Sequence, residues 1–567
     1  MPDNRGMLHF IARPSFVLLI ALLGTWPQLA VSGETLPNGI VLPDVWPPAT
    51  KSWTGEPMPV PYLKSPPDVI PIDVGRQLFV DDFLIAETDL KRTYHAPRYH
   101  ESSPVLKPEK PWEVGGDEGD SAAPFSDGVW YDPARKQFAM WYRAADRRTC
   151  LALSDDGLTW SRPELDVEPG TNVVLTSQNK TSQRDSNTVW LDLDAADPAE
   201  RFKLFEARYA KSPYCMALRT SADGVHWSDE QAVSARSWDR STAFYNPFRN
   251  VWVASVRGHD NVKPAPPHRL RNYFEGPTAA DALGWKQPTD DVSRGEQVPH
   301  DLQPWVGADR LDPHHPDPRF AKEKPQLYNL DVFPYESLLV GLFTIWQGPT
   351  NEVCKELDIQ KRNEVFVGFT RDGFHWDRAN RERFLPVSDD PQAWNAANVQ
   401  SVGGGCLVVG DELRFYCSGR KLKYRNTIST GLAVLRRDGF ASLDADDDGG
   451  TLTTRPLTFT GTHLFVNAAA DGGDLRVELL DAAGRVLPGF DRDNCAPLDR
   501  DDTKQCVGWA GVNLADVRTR PVRLRFHLRK GSLYSFWISD HPSGTSNGYL
   551  AAGSPGRTEA RDILPAE

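Results

Sequence analysis

Ser154-Asp155-Asp156-Gly157-Leu158-Thr159-Trp160 decides how this chain is read, because it returns. Ser221-Ala222-Asp223-Gly224-Val225-His226-Trp227 and Thr370-Arg371-Asp372-Gly373-Phe374-His375-Trp376 repeat it. A worn copy, Ala282-Leu283-Gly284-Trp285, lies between them, and Arg437-Asp438-Gly439-Phe440 closes the series without its tryptophan. Recurrence of one short signature marks an array of similar supersecondary units. Asp-Gly after a strand makes a tight turn, since Gly accepts positive φ and the Asp carboxylate can take nearby backbone N–H groups. The Trp then packs between neighbouring sheets with its indole N–H bonded. These motifs build architecture, and the chemistry lies elsewhere.

Two or three apolar strands precede each turn. Phe138–Arg143 and Cys150–Leu153 follow Pro124–Pro133, and Phe202–Glu206 and Cys215–Leu218 follow Arg184–Leu191. Asp239–Pro247 with Val251–Val256 makes a third unit. Asp331–Phe333, Leu338–Phe343 and Val365–Phe369 make a fourth, and Val399–Val402, Leu413–Cys417 and Gly431–Leu435 a fifth. The sequence thus predicts an all-β chain: a five-bladed β-propeller over 75–448, then a β-sandwich over 451–545 from alternating strands such as Leu475–Leu480 and Val522–Leu528. The apolar run Gln77–Ile85 is expected to complete the last blade, residues 33–74 to form a proline-rich linker or arm, and 546–567 a loose tail.

Arg5 and Arg13, the apolar run Phe16–Leu23 and the small residues Ala30-Val31-Ser32 read as a signal peptide over 1–32. The mature protein is expected to be secreted or periplasmic, with no membrane partner. Its net charge of −13 and lack of a basic patch argue against nucleic acid. Of seven cysteines, Cys495 and Cys506 are the expected bridge, and Cys406 and Cys417 could meet across a hairpin. No Cys/His spacing suggests zinc. No cofactor is expected, save a structural cation that could sit on the propeller axis.

Five blades, Ser-x-Asp-Gly-x-x-Trp turns, an export signal and a C-terminal sandwich resemble the five-bladed glycoside hydrolases of the β-fructosidase and arabinanase type. The resemblance is to architecture: the chain lacks Trp-Met-Asn-Asp-Pro-Asn-Gly, Arg-Asp-Pro and Glu-Cys, and so resembles a divergent branch. It implies a poly- or oligosaccharide substrate and three carboxylates on the inner strands of the first three blades.

Aligning Trp130, Trp190 and Phe244 puts Asp127, Asn187 and Ser241 in one column, with Phe125, Asp185 and Asp239 two residues earlier. Positions two apart share a strand face. Asp127, Asp185 and Asp239 therefore form the candidate set, with Asp120 and Asp117 as rivals for the first place. Glycoside hydrolysis generally needs two carboxyl groups with separated pKa values. By analogy Asp127 or Asp120 is base or nucleophile, Asp185 holds hydroxyls and tunes its neighbours, and Asp239 is the acid unless Glu206, Glu336 or Glu364 replaces it. Arg184 and Arg240 stand beside the best candidates, where they could steer hydroxyls or an anionic sugar.

Overall fold

The structure is a computed structural model that describes residues 33–49, 53–116, 119–176, 182–210, 214–260, 268–286, 301–518 and 520–564. The expected signal segment and Asp117 fall outside these residues. Strands make up 43% and helix 5%; a helical alternative would need roughly a third.

Three separate four-stranded antiparallel sheets come first. Val129–Asp132, Gln137–Arg143, Thr149–Ser154 and Val173–Leu175 form one, and Ser182–Leu191, Phe202–Ala210, Tyr214–Ser221 and Ala232–Ser237 the next. Thr242–Asn246, Val251–Asp260, His268–Gly276 and Gln303–Gly307 form the third, whose last two strands carry no signature that the sequence betrayed. A larger sheet holds two more groups: Gln326–Glu336, Leu338–Gly348 and Arg362–Thr370, then Cys406–Val409, Glu412–Arg420 and Ile428–Arg436. Asn398–Gln400 joins them, parallel to Arg362–Thr370 and antiparallel to Glu412–Arg420.

The Asp and Gly of the turn motif work as expected, but the indole N–H groups of Trp160, Trp227 and Trp376, expected to be bonded, are buried without a hydrogen-bond partner among the described residues. Asp156 Oδ1 accepts the backbone N–H groups of Leu158 and Thr159 at 2.7 and 2.8 Å, and Ser154 Oγ accepts that of Gly157. Asp223 and Asp372 repeat the arrangement. Each turn also bonds to the preceding group. Trp141 Nε1 donates to Gly224 O, Trp285 Nε1 to Arg236 O, and Trp305 Nε1 to Phe374 O. The first turn reaches round to the last group, where the Tyr416 hydroxyl donates to Gly157 O at 2.7 Å. The same tryptophans fill one core running through the groups.

The sandwich has its own core, in which Leu524, Phe526 and Leu528 alternate inward along Arg523–Arg529. Here the expectations need correction. Gln77–Leu78 pairs with Gly531–Ser539, Ile85–Thr88 with Gly450–Thr454, and Lys91–Tyr94 with Ala441–Ala445. Phe79 packs on Phe526 and Phe536, so the apolar run finds the sandwich core. The short strand Arg98–Tyr99 instead pairs with Ile428–Arg436 in the last group. The tail is not loose: Leu550 and Ala552 are buried, Tyr549–Leu550 pairs with Gln326–Glu336, and Tyr131 N donates to Ala552 O. The arm packs too, with Leu36, Ile40, Leu42 and Tyr62 buried.

All seven cysteines are free. Cys506 is exposed while the Cys495 thiol is buried and accepts the Val477 N–H, and the expected bridge is not formed. Cys406 and Cys417 lie on one hairpin but face Phe415 and Gly431 across their ladders rather than each other.

Candidate active site

Two of the groups' inner strands break their ladders near the same end. Asp185 and Tyr328 are left unpaired at register shifts between Arg184 and Ser186 and between Leu327 and Asn329. Phe125, Arg240 and Ser401 reach a similar result with positive φ of 47°, 58° and 60°. Such strain gathers where a side chain must be re-aimed. Here it brings four side chains together. The Arg240 guanidinium lies 5.0 Å from the Phe125 ring centre and 5.8 Å from that of Tyr328, and its Nε is 3.4 Å from Asp185 Oδ2. The Arg240 backbone N–H also donates to that oxygen. A small polar layer lies beneath: Ser126, Ser186, Ser241 and Asn329 follow these residues and are buried. Asn329 Nδ2 spans the gap, donating to Ser126 Oγ, Ser401 Oγ and Asp331 Oδ2.

Of the sequence candidates, Asp185 and Arg240 meet here, and Asp239 is adjacent. Asp239 is partly exposed and ion-paired to Arg257. Asp127 is one layer deeper and has no exposed surface. Both its oxygens accept from Arg184 Nη2, at 2.8 and 2.9 Å, and the Asn187 N–H donates to Oδ1. Burial still lifts its carboxyl to about 6, with Arg184 pulling the other way. Arg184 is fixed from behind by Thr149 Oγ1 at 2.8 Å, so these two side chains brace the first group to the second.

The remaining candidates lie apart. Asp120 caps a loop, accepting the Gly115 N–H. Glu206 is buried in the middle of the second sheet near Arg219, and burial raises its carboxyl. Glu336 ends its strand away from Tyr328, where Arg437, Ser546 Oγ and the Arg76 N–H hold it. Glu364 is buried between Arg362 and Arg383.

Sequence reasoning missed Tyr328 and the cations about it. Lys361 Nζ donates to its hydroxyl at 3.2 Å and stands 4.9 Å from the ring centre, and the Arg269 guanidinium is 5.7 Å from it. Arg271 donates to the carbonyls of Tyr328 and Arg240. Burial alone would raise the phenol, but Lys361, Arg240 and Arg269 bring it down to about 7 against the opposing Asp185. A signal existed: Tyr328-Asn329 stands ahead of Phe333 as Asp185-Ser186 stands ahead of Trp190. Among the described residues no group of three or more His, Cys, Asp and Glu is arranged for a metal. A cavity of about 470 Å³ lies elsewhere, between the arm at Trp53–Pro61 and Trp305, Phe374 and Trp376. It is mostly apolar, and its Glu56, Asp309, His375 and Asp377 line it beside Arg378 and Arg381, so the site around Asp185 and Tyr328 is the better candidate for chemistry.

No family model and no curated protein matches this chain. Solved structures do resemble it. A glycosyl hydrolase from Bacteroides ovatus is 12% identical, with TM-score 0.38, over 64% of this chain and 97% of its own. A structure from the GH130 family of mannoside phosphorylases is 12% identical, with TM-score 0.38, over 65% and 99%. An E230A fructofuranosidase from Schwanniomyces occidentalis is 11% identical, with TM-score 0.35, over 80% and 98%. The chain resembles propeller-type glycoside hydrolases at distant identity.

Proposed function

We propose that the five strand groups are the blades of a closed five-bladed propeller. We further propose that the protein is an exported glycoside hydrolase acting on a poly- or oligosaccharide over Phe125, Asp185, Arg240 and Tyr328. The observation that carries this reading is the convergence on Arg240, itself at positive φ, of Asp185 and Tyr328 at breaks in two inner strands. Bonds between successive groups support the ring: Val189 N to Asp127 O, Arg240 N to Asp185, Thr242 Oγ1 to Leu330 O, Val402 N to Asp331, and Val129 N to Gly403 O. Export rests on the apolar run Phe16–Leu23 and Ala30-Val31-Ser32.

Asp185 and Asp239, both partly exposed, are the reacting pair in this reading, and Asp127 positions Arg184. Release of new reducing ends from a polysaccharide panel tests it. Asp185→Asn is isosteric and should keep the fold by circular dichroism, yet cost at least about 10²-fold in rate. Unchanged turnover refutes the assignment. One observation favours a second reading, a propeller that binds sugar without cleaving it. Asp127, Asp185 and Asp239 each have an arginine partner, so none of the three stands free of an ion pair. Saturable binding with no reducing ends released would select that reading.

A further inference from the structure

We infer that the site takes a carbohydrate bearing an oxyanion substituent, a sulfate ester or a uronate carboxylate, held by Lys361 and Arg269 beside Tyr328. The inference rests on the pocket proposed above and names its substrate class.

The argument begins with a charge excess in an acidic protein. The chain carries −13 overall. Yet Arg240, Arg257, Arg269, Arg271 and Lys361 crowd around one tyrosine and one another. The carboxylates facing them are Asp185 on Arg240, Asp239 on Arg257, and Asp331, which is buried beneath Asn329. Among the described residues, Arg269, Arg271 and Lys361 have no carboxylate within ion-pair distance. Arg271 is fully buried and spent on backbone carbonyls, so it is a fixed positive charge. Arg269 and Lys361 are half-buried and so remain within reach of a ligand.

Both are held ready. Arg269 donates to Gln326 Oε1 at 2.9 Å, and its guanidinium lies 5.2 Å from the Trp346 ring centre and 5.7 Å from that of Tyr328. Lys361 leans on the other contact of the same ring. Like charges held this close repel, and burial makes the repulsion stronger than in water. Folding alone gives no reason to assemble them, because an unpaired buried cation destabilises. An incoming anion relieves the repulsion, and a planar guanidinium beside an ammonium suits sulfate or carboxylate oxygens. The other ionisable neighbours are Tyr214 and Arg147 on the Asp185 side and Glu364, which Arg362 and Arg383 already occupy. None restores the balance.

Affinity electrophoresis of the purified protein in about 0.15 M salt, where long-range attraction is largely screened, tests this with matched polymers. λ-Carrageenan is compared with its desulfated form, and polygalacturonate with its methyl ester. At least one charged polymer should be retained about tenfold more tightly than its neutral partner, a difference of about 1.4 kcal/mol. Which pair responds identifies sulfate or carboxylate. Lys361→Met and Arg269→Gln should each remove most of that preference while leaving neutral binding nearly unchanged and the melting temperature unchanged or higher. The bound anion should also move the Tyr328 phenol from about 7 toward its ordinary value. Absorbance at 295 nm, with Tyr328→Phe as blank, follows that titration. Equal retention of every charged and neutral pair overturns the inference, as does a preference that survives both substitutions. If neutral polymers are cleaved equally well in an Asp185-dependent manner, the hydrolase reading stands without it. If charged polymers are retained but never cleaved, the anion subsite stands and hydrolysis falls.

Discussion

Replacing Arg184 with methionine isolates what the pair with Asp127 does. The guanidinium is 2% exposed and the carboxylate fully buried, so neither charge has water to fall back on. Burial lifts Asp127 from 3.8 to about 6 even with Arg184 present. A lift of that size already costs the folded state about 3 kcal/mol at neutral pH. Without the arginine, Asp127 must stay charged and unpaired or take up a proton, and breaking a buried pair costs about 3–5 kcal/mol. The sign of the pH dependence follows. A carboxyl whose folded pKa is raised has its full stability below its unfolded pKa and loses it as pH rises through the folded value. The deficit of Arg184→Met should therefore be small near pH 4 and large at pH 8. Adding Asp127→Leu removes the stranded charge. The double variant should regain about 2 kcal/mol over the single, still short of wild type because Thr149 and the Asn187 N–H lose partners. Urea unfolding at the two pH values measures all of this. A single-variant cost below about 1 kcal/mol, well under the range for a broken buried pair, or a double variant no better than the single, refutes the view of the pair as a buried brace.

Two further predictions concern the architecture. Gly157→Ala places a Cβ 2.5 Å from the Tyr416 hydroxyl at a φ of +73°, and should cost about 1–3 kcal/mol by thermal unfolding. Gly508→Ala, which meets open space, should stay within about 0.5 kcal/mol. Deleting 546–567 removes the buried Leu550 and Ala552 and strips the backbone bonds to Tyr131, Cys406 and Val408, so the melting temperature should fall with a loss of at least about 3 kcal/mol. A truncated chain as stable as the whole would mean that the tail merely rests on the surface.

The sequence by itself determined what local chemistry controls. Asp156, Asp223 and Asp372 each satisfy backbone donors two and three residues away, so their turns are legible without any partner. Strands such as Phe138–Arg143 and Phe202–Glu206, and the alternation in Val522–Leu528, report which face is buried. That periodicity is silent about what covers the face. Only the tertiary structure decided that Phe79 packs on the sandwich, that Leu550 inserts beside Gln326–Glu336, and that Cys495 and Cys506 stay unbridged. The site divides in the same way. Asp185, Asp239 and Arg240 were found because their column repeats along the chain. Asp127 stands in the neighbouring column on the same strand face, yet one bidentate contact from Arg184 takes it out of solvent. Tyr328, Arg269 and Lys361 come from three different strands or their edges, and their separation in sequence hides a cluster that exists only when those strands are brought side by side. Electrostatics acts through space, so a charge excess of this kind is invisible until the fold sets the distances.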